Sequence, residues 1–217
     1  MNEKLNSILK QVSKPGRYSG GEYGQILKDK TKIKARFAFA FPDTYEIGMS
    51  NLGVRILYDC LNREDDIWCE RVYDPWVDMQ EKMKEHNIPL WAHESKDSVR
   101  DFDFLGFTLQ YEMSYTNVLN MLELSGIPLR ASERGEDFPI VIGGGPCAYN
   151  PEPVADFFDL FNIGEGESLL VEIVRLYIKM KDEGKYTKFE IFLKLFINEI
   201  LLELLKYVGS FVSISFN

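Results

Sequence analysis

Pro139-Ile-Val-Ile-Gly-Gly-Gly-Pro-Cys-Ala-Tyr-Asn-Pro-Glu-Pro153, followed by Phe158-Asp-Leu-Phe-Asn-Ile-Gly-Glu-Gly-Glu167, reads as two buried strands, Ile140–Ile142 and Phe158–Ile163, each running into a glycine turn. Apolar runs this short, bounded by Gly and Pro, are characteristic of parallel strands covered on both faces. In an open α/β sheet, ligands bind beyond the carboxyl ends of the strands, where the connections change direction. Glycine there lets a ligand approach the backbone, because no Cβ stands in the way. Two such turns in succession point to one cofactor-sized shelf; the plainer alternative is that the glycines only make tight turns.

The glycines do not form a phosphate cradle. A dinucleotide fingerprint needs G-x-G-x-x-G opening a helix, with free amides aimed at pyrophosphate. Pro146 removes an amide just after Gly143, Gly144 and Gly145. In the second turn, Gly164-Glu-Gly-Glu-Ser168, Glu165 and Glu167 flank Gly166 at the helix entrance and would repel a phosphate. A large ligand held mostly by van der Waals contact fits better.

The chain has 217 residues, enough for one α/β domain with a full core and a modest appendage. With 25 Lys plus Arg against 34 Asp plus Glu, the net charge of -9 argues against a general nucleic-acid surface. The first ten residues lack the apolar core of a secretory signal. Cys60, Cys69 and Cys147 are widely spaced, so reduced thiols in a cytoplasmic protein are the expectation. Neither histidine sits in a zinc-ligand pattern, and no nucleophile elbow surrounds a serine. His86 is expected in solvent; His93 is a ligand candidate, with a surface or capping position expected in preference.

Strands alternate with helices along the chain, which gives an α/β, doubly wound parallel sheet of Rossmann-like (flavodoxin-like) type with helices on both faces. The spacing predicts strands at Arg36–Phe41, Ile67–Tyr73 and Asp103–Gln110, and a helix to Asn62 with Leu52, Ile56, Leu57 and Leu61 facing inward. Residues 1–35 form an N-terminal extension, a helix and the glycine-rich stretch Lys14–Gly24, expected as a structured surface loop in preference to a flexible linker. Residues 36–185 form the main domain, and 186–217 an apolar tail. From Lys188 to Lys206 the tail reads as a helix apolar around most of its circumference, expected to need protein cover or to self-associate. Its charges count against a transmembrane segment. Tyr207–Phe216 reads as a strand.

The ordered segments resemble the amino-terminal half of cobalamin-binding-domain radical SAM proteins. The matching pieces are Lys14-Pro-Gly-Arg-Tyr-Ser-Gly-Gly-Glu22, Phe41-Pro-Asp-Thr-Tyr-Glu-Ile-Gly-Met-Ser-Asn-Leu-Gly53 and Glu70-Arg-Val-Tyr-Asp-Pro-Trp76. They continue through Asp101-Phe-Asp-Phe-Leu-Gly-Phe-Thr-Leu-Gln-Tyr-Glu112, Gly143-Gly-Gly-Pro-Cys147, Asn150-Pro-Glu-Pro153 and Gly164-Glu-Gly-Glu167. The resemblance implies a Rossmann-like cobalamin-binding domain placed before a radical SAM barrel. Cobalamin would rest on a shelf of Pro42, Asp43, Gly48, Met49, Ser50, Gln110, Tyr111, Glu112, Gly143–Pro146 and Gly164–Glu167. The Asp-x-His-x-x-Gly signature that supplies a cobalt-ligating histidine is absent, since the loop reads Pro42-Asp-Thr-Tyr-Glu-Ile-Gly48.

The resemblance assigns [4Fe–4S] and S-adenosylmethionine to full-length relatives alone, because the Cys-x-x-x-Cys-x-x-Cys loop that holds such a cluster is missing here. The expected partner is therefore a radical SAM barrel on a missing domain or separate chain, and the tail is expected to be a shortened or frame-shifted start of the linker. The rival readings are a non-catalytic interaction module without cofactor and a flavodoxin-like nucleotide binder, the latter disfavoured by the acidic glycine turn. Anaerobic reconstitution with iron and sulfide should leave this chain without a cluster. Stoichiometric iron and sulfide after desalting would overturn that expectation.

Overall fold

The computed structural model of the protein describes residues 2–184, 187, 188, 190, 191 and 211–214. Five parallel strands form its centre: β1 (Ala35–Phe41), β2 (Ile67–Tyr73), β3 (Phe104–Thr108), β4 (Ile140–Gly144) and β5 (Leu160–Ile163). Their spatial order is β2-β1-β3-β4-β5, and β6 (Phe211–Ile214) adds an antiparallel edge to β5. The chain winds outward from β1 to β2, then crosses back to β3. That reversal makes the β1/β3 boundary the topological switch point of a flavodoxin-like order.

The strands are buried on both faces, and alternate residues serve two cores. Ala38, Ala40, Leu105, Phe107, Val141 and Phe161 face α1 (Asn2–Leu9), α5 (Val77–His86) and α6 (Tyr115–Ser125). Phe37, Phe39, Phe104, Ile140, Ile142 and Leu160 face α4 (Leu52–Asn62) and α7 (Gly166–Asp182). Gly126 ends α6 in the left-handed conformation (φ 67°), as a C′ glycine should.

Helix α4 is rotated from the expected placement. Its core stripe is Val54, Tyr58 and Leu61, while Leu52 is 66% exposed. The Asn51 side chain accepts the Val54 N–H at 3.0 Å and so starts the helix at Leu52. From that start the i, i+4, i+7 stripe reaching the sheet begins at Val54. Ile56 is 39% exposed, whereas Leu57 and Leu61 pack against the core as expected. The segment after β1, expected as a loop, contains a short helix, α3 (Tyr45–Ser50).

The glycine-rich stretch is a structured surface segment, as expected. A helical turn, α2 (Gly16–Ser19), sends Tyr18 into the core, where its hydroxyl accepts the Trp76 N–H at 3.1 Å. Beyond it Glu22 reaches His93, which is buried rather than at the surface, and the Tyr45 hydroxyl donates to the same carboxylate oxygen at 3.2 Å. Arg71 lies 3.7 Å from the other oxygen and donates from Nε to Glu94 at 2.6 Å. Tyr45 and Tyr73 pack their rings around His93. The clasp binds the N-terminal extension to β2 and to the segment following α5. Of the expected tail helix only 188, 190 and 191 are described, so that expectation lies outside the described residues. β6 falls within the stretch read as a strand.

Burial works against the Glu22 charge, but the His93 hydrogen bond and the His93 and Arg71 charges outweigh it, holding the carboxyl at about 2. A depressed carboxyl contributes stability above its unfolded value of 4.5 and loses it as pH falls toward the folded value. Burial also lowers the His93 value despite its Glu22 bond, so the folded state resists protonating it. Both effects weaken the fold in acid. Glu22→Gln should cost about 1–3 kcal/mol in urea unfolding at neutral pH and should flatten the decline in stability below pH 4.5. An unchanged midpoint and unchanged pH profile would mean that the clasp contributes nothing.

Candidate ligand cleft at the carboxyl edge of the sheet

The parallel register sets Thr108 of β3 beside Gly144 of β4, and Gly144 beside Asn162 of β5. All three fall on the face covered by α4 and α7. Because Gly144 has no side chain, a gap opens between its two polar neighbours. A cleft of about 270 Å³ occupies that gap. Phe37, Phe39, Gly106 and Ile142 form its inner end, Gly53, Ile56 and Leu57 of α4 one wall, and Gly164–Glu167 with Leu170 the other.

The glycine turns serve the cleft in different ways. Gly145 has φ 96°, a left-handed value that favours glycine, and a Cβ there would stand 3.0 Å from the Leu109 carbonyl. The turn is tied to the end of β3, where Leu109 N–H donates to Gly144 O at 2.6 Å and Cys147 N–H to Leu109 O at 3.0 Å. Gly144 itself has no left-handed requirement, and a Cβ there would meet nothing nearer than 3.7 Å. Gly166 opens α7 beside Leu57 and Asn162.

Seven residues of the expected shelf line this cleft: Gln110, Gly144, Gly145, Gly164, Glu165, Gly166 and Glu167. The other nine do not. Gly48 lies under the Tyr73 ring, where a Cβ would approach to 2.5 Å, and Gly143 lies under Phe161 at 2.8 Å. The Met49 sulfur accepts hydrogen bonds from the Tyr73 hydroxyl at 2.9 Å and from Arg71 at 3.1 Å, inside the clasp. Ser50 closes α3 on Ile47 O. Pro42 O accepts from Asn117, and Asp43 accepts from the Tyr111 hydroxyl at 2.7 Å, which together form a second polar cluster beyond β1 and β2. In that cluster burial pushes Asp74 up to about 7, with the Asn120 hydrogen bond opposing and the Asp43 charge adding. Glu112 and Pro146 begin the 3₁₀ turns that follow β3 and β4.

Asn162 was missed by reading the sequence for turns. It lines the cleft, is 5% exposed, and its Oδ1 has no hydrogen-bond partner. Thr108 was also missed; its hydroxyl oxygen accepts from Gln110 Nε2 at 2.5 Å. The available signal was polarity inside a strand otherwise apolar on both faces, since buried polar groups need partners. Among the described residues no Lys, Arg or His lines the cleft, and the two glutamates at its mouth are exposed. The described lining is apolar at depth, with neutral polar groups from Thr108, Gln110 and Asn162. It does not suit a phosphate.

Radical SAM protein N-terminal domains match residues 53–200 of this chain as a family. The chain belongs to that family. An uncharacterized protein of Methanocaldococcus jannaschii is 28% identical over 159 residues, covering 73% of this chain and 30% of the relative. The chain thus spans under a third of the length of that curated relative. No solved structure gives a significant match. Among the described residues there is no cluster of His, Cys, Asp and Glu able to hold a metal ion, and no helix long and apolar enough to cross a membrane.

Gly144→Val should fold with a stability change below about 1 kcal/mol, because neither φ nor a neighbour opposes the new Cβ and the cleft leaves space for its branches. It should also fill the gap between Thr108 and Asn162. Thermal melting paired with a hydroxocobalamin titration tests both parts. A folded variant that keeps wild-type affinity would remove this cleft from the binding surface.

Proposed function

We propose that this domain holds a corrinoid for a radical SAM protein, with the edge of the cofactor seated in the cleft at the carboxyl ends of β3, β4 and β5. The observation that carries this reading is the glycine floor at Gly144, which leaves a cleft between Thr108 and Asn162 at the carboxyl edge of the sheet. Thr108, Gln110 and Asn162 would supply neutral hydrogen-bonding groups, while Phe39, Ile142 and Leu170 would supply apolar contact. A cleft of this volume receives part of such a cofactor, and the rest would lie across the mouth. When bound, cobalt would supply methyl-transfer or one-electron chemistry. His93 is locked in the clasp against Glu22, so on this reading no protein histidine reaches the metal.

The remainder of a longer protein, or a separate chain carrying the barrel, would cover the same edge. Ile47, Leu52, Trp76, Tyr111, Met113 and Tyr149 are exposed there, in the connections after β1, β2, β3 and β4. Those side chains also favour a second reading, a cofactor-free interaction module, because clustered exposed apolar groups mark docking surfaces.

Mixing the protein with hydroxocobalamin and desalting it discriminates the two readings. Corrinoid absorbance should co-elute with the protein near one equivalent, and the Co(II) paramagnetic resonance spectrum should carry no coupling from a protein imidazole. Protein that elutes without corrinoid bands under saturating ligand would leave the interaction module standing.

A further inference from the structure

At the switch point between β1 and β3, the loop leaving β3 is pinned on both sides. Leu109 is held against the turn after β4, where its N–H donates to Gly144 O at 2.6 Å and its carbonyl accepts the Cys147 N–H at 3.0 Å. Two residues on, the Tyr111 hydroxyl donates to Asp43 Oδ2 at 2.7 Å, in the segment after β1. Gln110 lies between these anchors. It is half-buried, lines the cleft, and donates from Nε2 to Thr108 Oγ1 at 2.5 Å. Its placement therefore depends on where Leu109 and Tyr111 are held.

The two anchors differ in kind. Leu109 is buried and bonded through its backbone. The Tyr111 ring is 40% exposed, so packing fixes it poorly and the hydroxyl bond carries its position. The acceptor is held ready. Asp43 Oδ1 accepts the Thr44 N–H at 2.6 Å, Asp43 O accepts the Asp74 N–H at 3.0 Å, and Asn117 donates to Pro42 O at 2.9 Å. A single bond from an exposed hydroxyl to a fixed carboxylate is strong enough to bias a loop and weak enough to break often.

We infer that Tyr111 is a positioning residue for the cleft: its bond to Asp43 latches the β3 loop, with Gln110, across the opening, and a ligand enters or leaves when the latch is released. This rests on the cleft being a ligand seat, as proposed above, and does not require the ligand to be a corrinoid. Such a latch controls the rates of exchange and leaves the equilibrium alone, because entry and exit pass through the same open state.

Stopped-flow binding of hydroxocobalamin and of Nile red, a neutral apolar dye, tests the latch. Tyr111→Phe keeps the ring and loses the bond. It should bind and release each probe about tenfold faster, with the dissociation constant nearly unchanged. Asp43→Asn weakens the same bond from the acceptor side and should shift both rates in the same direction by less. A tyrosine with only a structural role would lower the melting temperature and leave the rates alone. Native-state hydrogen exchange gives a readout without ligand. The Ser114 N–H, bonded to Tyr111 O at 3.2 Å, should exchange about tenfold faster in Tyr111→Phe, while the Leu109 N–H keeps its wild-type rate. Unchanged rates in whichever variant folds, or unchanged Ser114 exchange, would overturn the inference and leave the corrinoid reading intact. Faster exchange of Nile red in protein that takes up no hydroxocobalamin would support the latch and remove the corrinoid. If neither probe binds, both fall.

Discussion

Aromatic rings occupy the space that glycines leave open, and the sheet depends on that fit. The Phe37 ring lies where a Cβ of Gly106 would come to 2.6 Å, Phe161 covers Gly143, and Tyr73 covers Gly48. Each pairing lets a large ring pack flat on the backbone, with dense contact at positions where any side chain would clash. Phe37 also stacks on Phe39 and Phe104, so the contact at Gly106 extends across β1 and β3. Gly144 is the exception in this set. No ring fills its place, and the cleft is what remains.

The second organising feature is electrostatic. Glu22, His93, Arg71 and Glu94 form a largely buried group in which each charge has an opposite charge or a hydrogen-bonding group beside it. Burial is expensive for every member, so removing one partner exposes the desolvation cost of the others. Tyr45 and Tyr73 close the group on the side toward α3, and Lys96 ties Tyr18 O and His93 O together at 2.9 and 2.7 Å. The N-terminal extension is thereby part of the domain. The loops after β1 and β2, which carry Asp43 and Asp74, rest on that arrangement.

These two features divide the carboxyl edge of the sheet. On the β1–β2 side the space is filled by rings, the clasp and the Asp43–Tyr111 contact. On the β3–β5 side it is open, apolar at depth and acidic at the mouth. A ligand seated there would lie beside the exposed side chains of the edge loops.

Much of the architecture was legible in the chain. Short apolar runs ended by Gly or Pro marked the parallel strands, because a strand covered on both faces needs apolar residues throughout and a special residue where it turns. The phosphate-binding alternative was disfavoured by Pro146, Glu165 and Glu167, whose chemistry is local and readable in order. What tertiary structure decided was which glycines serve a ligand. Gly48, Gly143 and Gly144 look alike in sequence, but the first two are covered by rings from strands distant in the chain, and the third is not. Asn162 became informative only when the β3–β4–β5 register set it across a gap from Thr108, and His93 only when Glu22, 71 residues away, reached it. Strand order and register bring such residues together, and neither is encoded at any single position.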